Sequence, residues 1–554
     1  MSTLNAFGVN EFMASIAREA TLAPDAVAIE ILIHSSVHQR LSYAELTGST
    51  WAAADTLQRQ RLRRAAILCE RSLTRYLSVL SCAWAGTEVL PLSTDWPEAR
   101  IIYALDDFQP DVIWVDQHLA SRCHRLLGQL GVWSTRVRVH SFDSSLNTRA
   151  DSVCDHLHAL VKASPTHKAE LVVSQPLRPF YRVMTSGSTG RPKCIPIHTH
   201  NFQSYWRGLC AWHRLSRGQR VSQIFDLSFD LAWHDLFSTW SRGATLVVPT
   251  RPALLHPTSF LRDAQLDELF MTPTWAAAFL LGDGAANFEL PQLQRAMFCG
   301  EALSRDVLQA ARRAFPRAEI WNLYGPSEAT VAVTHFNCSE EFPAEQSVVP
   351  IGRAFGDNLV EVVHDELRIA GPQVSVQSIK AARSDLPAEA SQLNWLATGD
   401  RAQWSSIPTT ESSGAKRDEP ASRPYLNFCG RVDRQVKVRG YRLELGEVEA
   451  QARRCAQRIG LRFIGLQVEL LDDKLVAIYA RGEEARTSSS KPTDSPVAQP
   501  MTLLITQLKS ALLTELPQYA VPQLWYERED WPLTSSGKTD LQANRAWVVS
   551  RLGI

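Results

Sequence analysis

No apolar stretch in this sequence approaches the ~18 residues that a membrane-crossing helix requires, so no membrane span is expected. Nor does charge of one sign prevail. Lys and Arg number 58, Asp and Glu also 58, which leaves no net field to draw the chain to nucleic acid or an anionic bilayer. Cysteine is sparse, 10 in 554 residues with no C-x-x-C pair, so neither a disulfide framework nor a cysteine metal site is expected. Cys194, Cys299 and Cys429 sit in apolar or glycine-flanked strings and are expected to act as small buried hydrophobes. The first twelve residues lack the basic stretch and apolar run of a secretory signal, so a cytoplasmic setting is expected.

What is present is a long chain with enough apolar residues, 45%, for a sizeable core. Single cores stop growing at about 250–300 residues, so 554 residues predict two or more domains. Short apolar runs at 65–69, 171–173, 221–225, 245–248 and 319–323 predict strands, and 44–59, 75–85 and 304–314 predict helices between them. Leu77, Leu80 and Trp84, at i, i+3 and i+7, give one of these helices a buried face. The alternation reads as layered α/β. Residues 380–392, 405–423 and 484–500 are loop-like, rich in small, polar and proline residues that bury little apolar surface. A domain boundary is expected before the compact charged run at 430–449, leaving a C-terminal domain of about 120 residues.

The most telling string is VMTSGSTGRPK at 183–193, which follows a strand-like run at 180–184. Glycine lets successive backbone N–H groups turn toward one anion, and hydroxyls add donors. Thr185, Ser186, Gly187, Ser188, Thr189 and Gly190 would form such a phosphate cradle, and Lys193 would add a point charge. A Walker loop does not fit: its second glycine would fall on Pro192, and Cys194 stands where a magnesium-binding hydroxyl belongs.

This string resembles the phosphate loop of the adenylate-forming superfamily, which includes acyl-CoA ligases, luciferases and the adenylation domains of nonribosomal peptide synthetases. Further motifs follow in that superfamily's order: AGTEVLPL at 85–92, NLYGPSEAT at 322–330, LATGD at 396–400, the run GRVDRQVKVRGYRLELGEVE at 430–449 and PLTSSGK at 532–538. The resemblance implies ATP and Mg²⁺ as cofactors. It places Tyr324 against adenine, Asn322 on its amino group, and Gly300, Glu301, Ala302 and Gly325 in the nucleotide site. Glu328 would hold Mg²⁺, with Thr330 serving the phosphates; a hard oxygen ligand suits a hard cation. Asp400 would accept from both ribose hydroxyls, as a carboxylate with two oxygens can. Arg431 would contact ribose or phosphate, Asp433 would be the hinge and Lys538 the catalytic lysine, with Thr185 and Lys193 also at the reacting phosphates. The fold implied is α/β: a large N-terminal domain of layered α/β subdomains (1–432, five-layered sheets with helices) plus a small mobile α+β C-terminal domain (433–554). One departure is that ELRIAG at 366–371 runs into PQVSV at 372–376, not the superfamily's usual glycine-tyrosine continuation, so local loop structure there is expected to differ.

Matching FDLAWHDLF at 229–237 puts Asp230 where amino-acid-activating members pair a carboxylate with the substrate ammonium. A buried acid needs such a cation. A helix N-cap is the other reading of Asp230. Leu231, His234, Phe270, Met297, Cys299, Leu323, Val331 and Ala332 would line the rest of the pocket. With Lys538 these give D-L-H-F-M-C-L-V-A-K, which resembles the D-L-L-Y-L-A-L-V-C-K of free-standing prolyl carrier-protein ligases and agrees at five positions. Proline is the amino acid implied, with His234 as the main discord; it reads either as a satisfied core histidine or as a contact for a polar side chain. No condensation or carrier motif is present, so a phosphopantetheinylated carrier protein is expected in trans, with no nucleic-acid or membrane partner. Two rivals stand beside this reading. An acyl- or aryl-CoA ligase of the same fold is disfavoured by Asp230, and a non-catalytic nucleotide-binding relative by the presence of Lys538, Glu328 and Asp400. Lys538→Ala is expected to lower adenylation at least ~10²-fold, as for a preorganised charge stabiliser, read by pyrophosphate exchange.

Overall fold

The computed structural model describes residues 10–33, 36–142, 178–185, 192–281, 288–375, 395–405, 424–481, 501–534 and 539–553. The expected strand at 171–173, the loops at 380–392 and 484–500, and all but Ser405 of 405–423 lie outside them, as do Ser186 to Gly190 and Lys538. The described residues fall into two compact units. Residues up to Asp433 form the first, except Asp95–Ala104 and the strand ends Thr185 and Lys193, which group with Arg434 onward in the second.

Two sheets dominate the first unit. In one of nine strands, Glu319–Tyr324, Arg295–Phe298, Glu268–Met271, Arg220–Ser222, Thr245–Pro249 and Val27–Ile33 run parallel in that spatial order. Antiparallel strands close both sides. The second sheet has six strands, with Arg138–Phe142, Val112–Asp116, Arg64–Leu68, Glu88–Pro91 and Pro179–Thr185 parallel in that order. Thr245–Pro249 and Val112–Asp116 are buried at every residue, as strands covered on both faces are. A four-stranded antiparallel sheet from Leu359–Val363 to Leu426–Arg431 completes the unit.

The helix Asp230–Trp240 is buried at all eleven residues. Its six apolar residues pack against both sheets' side chains, and its polar residues Asp230, His234, Asp235, Ser238 and Thr239 are buried with them. Trp233 stacks on Tyr181 of the six-stranded sheet at 3.9 Å, and Phe237 meets Phe180 at 5.3 Å. Each such ring contributes about 1.5–3 kcal/mol on burial. Helices expected at 44–59, 75–85 and 304–314 occur as Tyr43–Arg59, Leu73–Ala85 and Arg305–Ala314; Ser42 with Glu45 forms a capping box on the first, and Ser304 caps the third. The strand expected at 221–225 stops at Ser222. Beyond it the Arg71 guanidinium binds the carbonyls of Gln223, Ile224 and Phe225, so a side chain replaces the strand ladder there. Cys429 is exposed, because its strand turns that face to solvent; Cys194 is half-buried and Cys299 fully buried.

The second unit contains the hairpin Gln435–Val438 and Tyr441–Glu444, the helix Leu445–Arg458 and a three-stranded sheet of Phe463–Leu471, Lys474–Arg481 and Leu524–Glu527. Val448, Ala452, Leu475, Leu508 and Leu512 pack in its core.

The turn after Glu319–Tyr324 is where backbone strain concentrates. Thr330 and Val331 are β-branched, yet both sit at positive φ, 59° and 64°. Gly325 lets this turn fold back, since a Cβ there would lie 2.6 Å from the Cα of Ala332. Fully buried Gln373 holds the arrangement. Its amide nitrogen donates to the carbonyls of Ala332 (2.8 Å), Ala329 and Thr330 (both 3.2 Å), while its own carbonyl accepts from the Thr330 hydroxyl at 2.7 Å. Asn201 in turn donates to the carbonyls of Pro372 and Val374. The segment that departs from the superfamily pattern is thus an anchor. Gln373→Leu keeps the size but orphans buried carbonyls, and should cost about 2–4 kcal/mol. Denaturant unfolding would measure that loss, and pyrophosphate exchange should fall with it; an unchanged midpoint would rule out the clamp.

Candidate active site

Parallel register brings the chemistry-bearing residues to one edge. Met271 pairs with Phe298 and Phe298 with Asn322, so these strands end together, and ligands of open α/β sheets bind beyond such carboxyl ends. Asn322 is buried, and its amide nitrogen donates to the Pro350 carbonyl at 2.8 Å. Its Oδ1 is buried with no hydrogen-bond partner among the described residues. A buried acceptor left open fits the exocyclic amino group of adenine. Two residues on, the Tyr324 hydroxyl donates to Asp400 at 2.5 Å, which fixes the ring; burial, then Asp400, pushes that phenol well above its ordinary pKa.

Asp400 has Thr398 and Arg431 as its other neighbours. Its backbone N–H donates to the Thr398 hydroxyl at 3.1 Å, and Arg431 Nη1 bonds its second carboxylate oxygen. The same guanidinium grips Asp433 through Nε (2.7 Å) and Nη2 (2.8 Å). Burial works to lower the Arg431 pKa, but Asp433 and Asp400 outweigh it and drive it up. Gly399 sits at φ 73°, and a Cβ there would stand 2.8 Å from Arg431 Nη2. This Asp–Arg–Asp chain fixes the Asp400 carboxylate in place, and a carboxylate with two acceptor oxygens suits a vicinal diol.

Glu328 lies half-buried on the short turn Ser327–Ala329, where its backbone carbonyl accepts from Ser375 at 2.8 Å. A half-buried carboxylate is a suitable hard ligand for Mg²⁺. The Thr330 hydroxyl, expected to serve phosphates, is committed to Gln373. Gly300 bends the chain at φ 94°, Glu301 accepts from the Thr274 N–H at 2.9 Å at the start of the helix Pro273–Leu280, and Ala302 is exposed. Thr185 ends one strand, buried, and Lys193 begins the next, exposed.

The residues expected to line the acid pocket are all buried. Asp230 retains 6% exposure, Leu231 6%, and His234, Phe270, Met297, Cys299 and Ala332 none. Leu323 and Val331 are buried with them. The N-cap of the helix Asp230–Trp240 is Phe229, so Asp230 is its first residue and not its cap. Phe270 and Met297 are Cα partners on adjacent strands. Leu231 approaches the bend at Gly300, and the His234 ring meets Phe270 at 4.7 Å. Burial, then the neighbouring His213, pushes His234 down to about 3, so its ring is uncharged at neutral pH. Three contributors were not visible in the sequence. Gln373 clamps the turn, Tyr205 binds His234 Nδ1 at 2.7 Å, and Arg71 shapes the approach to the helix. Their partners stand dozens of positions away, and no motif spacing links them.

Comparison with known proteins agrees with this geometry. The family described as AMP-binding enzyme matches residues 16–375. The D-alanine–D-alanyl carrier protein ligase of Bacillus mycoides (strain KBAB4) is 27% identical over 375 residues, covering 65% of this chain and 69% of that protein. Among solved structures, the Vibrio cholerae adenylation domain AlmE in complex with glycyl-adenosine-5'-phosphate superposes with a TM-score of 0.73 at 24% identity, over 99% of this chain and 100% of that one. NpsA-ThdA from Klebsiella oxytoca, an artificially fused adenylation–PCP di-domain, does so at 0.69 and 18% identity, over 99% and 98%. Since the family match takes in well over half of the sequence, the chain belongs to the AMP-binding enzymes, the adenylate-forming superfamily whose members use ATP and Mg²⁺.

Proposed function

We propose that this enzyme activates a small neutral amino acid as its aminoacyl-adenylate and passes the acyl group to the phosphopantetheine thiol of a separate carrier protein. The observation that carries the amino-acid reading is Asp230, an acid buried to 6% exposure beside apolar lining residues. A carboxylate at that depth among apolar lining residues suits a cationic group, and a substrate α-ammonium is one. The similar ligase acts on D-alanine and a carrier protein, AlmE was solved with a glycyl adenylate, and NpsA-ThdA joins adenylation to a carrier domain.

In this reading Asn322 Oδ1 accepts from adenine, Tyr324 lies against it, and Asp400 with Arg431 orients the ribose. Gly300, Glu301, Ala302 and Gly325 shape the backbone around the base. Glu328 would hold Mg²⁺, while Thr185, Ser186, Gly187, Ser188, Thr189, Gly190 and Lys193 cradle the phosphates. ATP supplies an electrophilic phosphorus, and Mg²⁺ neutralises the charge that repels an incoming carboxylate. Lys538 adds the remaining positive charge between the two anions. Residues 1–432 would carry the nucleotide and amino acid, residues 433–554 would form the lid, and Asp433 would be the hinge between adenylation and thiol transfer.

Proline is the amino acid we propose first, supported by the five lining positions shared with prolyl ligases. Glycine and alanine are the second reading, favoured by the substrates of the similar proteins. Pyrophosphate exchange with proline, glycine, both alanines and non-amino carboxylic acids separates them. A small neutral amino acid should support exchange, and Asp230→Ala should cut kcat/KM by at least ~10²-fold, the loss of about 3 kcal/mol from a broken buried charge pair. Equal or better exchange with acids that lack an amine would overturn the proposal.

A further inference from the structure

Behind Phe270 lies a cluster that the nucleotide chemistry does not use. His213 follows the helix Thr199–Trp212, His234 sits in Asp230–Trp240, and Glu268 begins the strand Glu268–Met271. All three are essentially without solvent exposure, at 1%, 0% and 1%. One ring nitrogen of each histidine and one carboxylate oxygen of Glu268 lie within 4.8 Å of one another. The geometry points to a single divalent transition-metal site formed by His213, His234 and Glu268, with zinc the ion that this donor set suits best.

Two imidazoles and one carboxylate are the ligands of late first-row metals, whereas Mg²⁺ and Ca²⁺ take oxygen throughout. Ligand atoms around a tetrahedral ion stand roughly 3.3–3.5 Å apart, given bonds of about 2.0–2.1 Å. Side-chain adjustments of about an ångström therefore close the site. Open donors point to a missing occupant: His234 Nε2 and Glu268 Oε1 are buried without any hydrogen-bond partner among the described residues. Such orphaned atoms are rare in folded proteins and call for an ion or water.

Outer partners are already in place. The Tyr205 hydroxyl binds His234 Nδ1 at 2.7 Å, which leaves Nε2 as the coordinating atom. Arg295, the Cα partner of Glu268 on the next strand, donates to Glu268 Oε2 at 2.9 Å and orients the carboxylate. Partners of this kind set tautomer and direction for metal ligands. His213 Nε2 now donates to Glu268 Oε2 at 2.7 Å. On metal binding that proton leaves Nε2, and the ring proton resides on Nδ1. Arg295 adds positive charge beside the ion. Glu268 offsets it through its ion pair with that guanidinium.

A bound ion would tie two helices and a strand together behind the amino-acid pocket. It would also use the last polar atom of His234, so that the ring offers the substrate only an apolar surface. That consequence rests on the proposed pocket; the metal site does not.

The test uses the full chain, expressed with zinc supplementation, purified without chelator and analysed for metal. About one zinc per chain is expected, with cobalt substitution giving visible absorption of a low-symmetry Co²⁺ site. His213→Gln and Glu268→Gln should reduce zinc at least about fivefold, with zinc-binding of the Asp400→Ala nucleotide-site variant unchanged. Should the cluster variants not fold, wild type decides. Adding zinc to chelator-treated enzyme should raise its unfolding midpoint by about 2 °C or more. Less than about a tenth of an equivalent in wild type, with no shift on zinc addition, would overturn the site, as would full zinc retention in both folded cluster variants. Zinc content is read apart from pyrophosphate exchange, so failure of the amino-acid proposal leaves this result intact.

Discussion

The strained turn after the strand Glu319–Tyr324 depends on one buried amide. Gln373 satisfies the carbonyls of Ala329, Thr330 and Ala332, and through them holds two β-branched residues in a backbone region they ordinarily avoid. The turn it fixes carries Glu328 on one side and the pocket residues Val331 and Ala332 on the other. A single side chain therefore couples the candidate Mg²⁺ residue to two of the candidate lining residues. Asn358 supports Gln373 by donating to its amide oxygen at 2.5 Å, and Gly325 supplies the space that the returning chain needs.

The second constraint is register. Parallel pairing of Glu268–Met271, Arg295–Phe298 and Glu319–Tyr324 sets the strand ends level, so that Thr272, Gly300 and Gly325 turn away at one edge. The buried helix Asp230–Trp240 delivers Asp230, Leu231 and His234 to the same region from between the two sheets. Its position follows from aromatic stacking, Trp233 on Tyr181 and Phe237 on Phe180. Specificity and folding thus share residues: the rings that hold the layers together also place the carboxylate that would meet the substrate.

The candidate nucleotide edge is rich in charge. Tyr324, Asp400, Arg431 and Asp433 form one hydrogen-bonded chain, in which the residue read as a ribose acceptor and the residue read as a hinge share a guanidinium. Removing either acid leaves Arg431 half-paired inside the fold, a costly state in a low-dielectric setting. The shared guanidinium couples the position of Asp400 to that of Asp433.

Much of the candidate site was legible from local sequence. Tyr324 and Asn322, two residues apart on one strand, and Asp400 after its glycine carry their meaning in short spacing, because a strand or tight turn converts spacing directly into geometry. Chain length, apolar alternation and caps such as Ser42 and Ser304 likewise determined class and element positions, since these depend on contacts within a few residues. The rest was decided only by tertiary structure. Gln373 looked like a departure from pattern, the strand from residue 221 was ended by Arg71, and His213, His234 and Glu268 share no motif. Their partners meet across separations that spacing does not encode, because those contacts form only when buried layers exclude water and leave each polar atom to find whatever neighbour the packing provides.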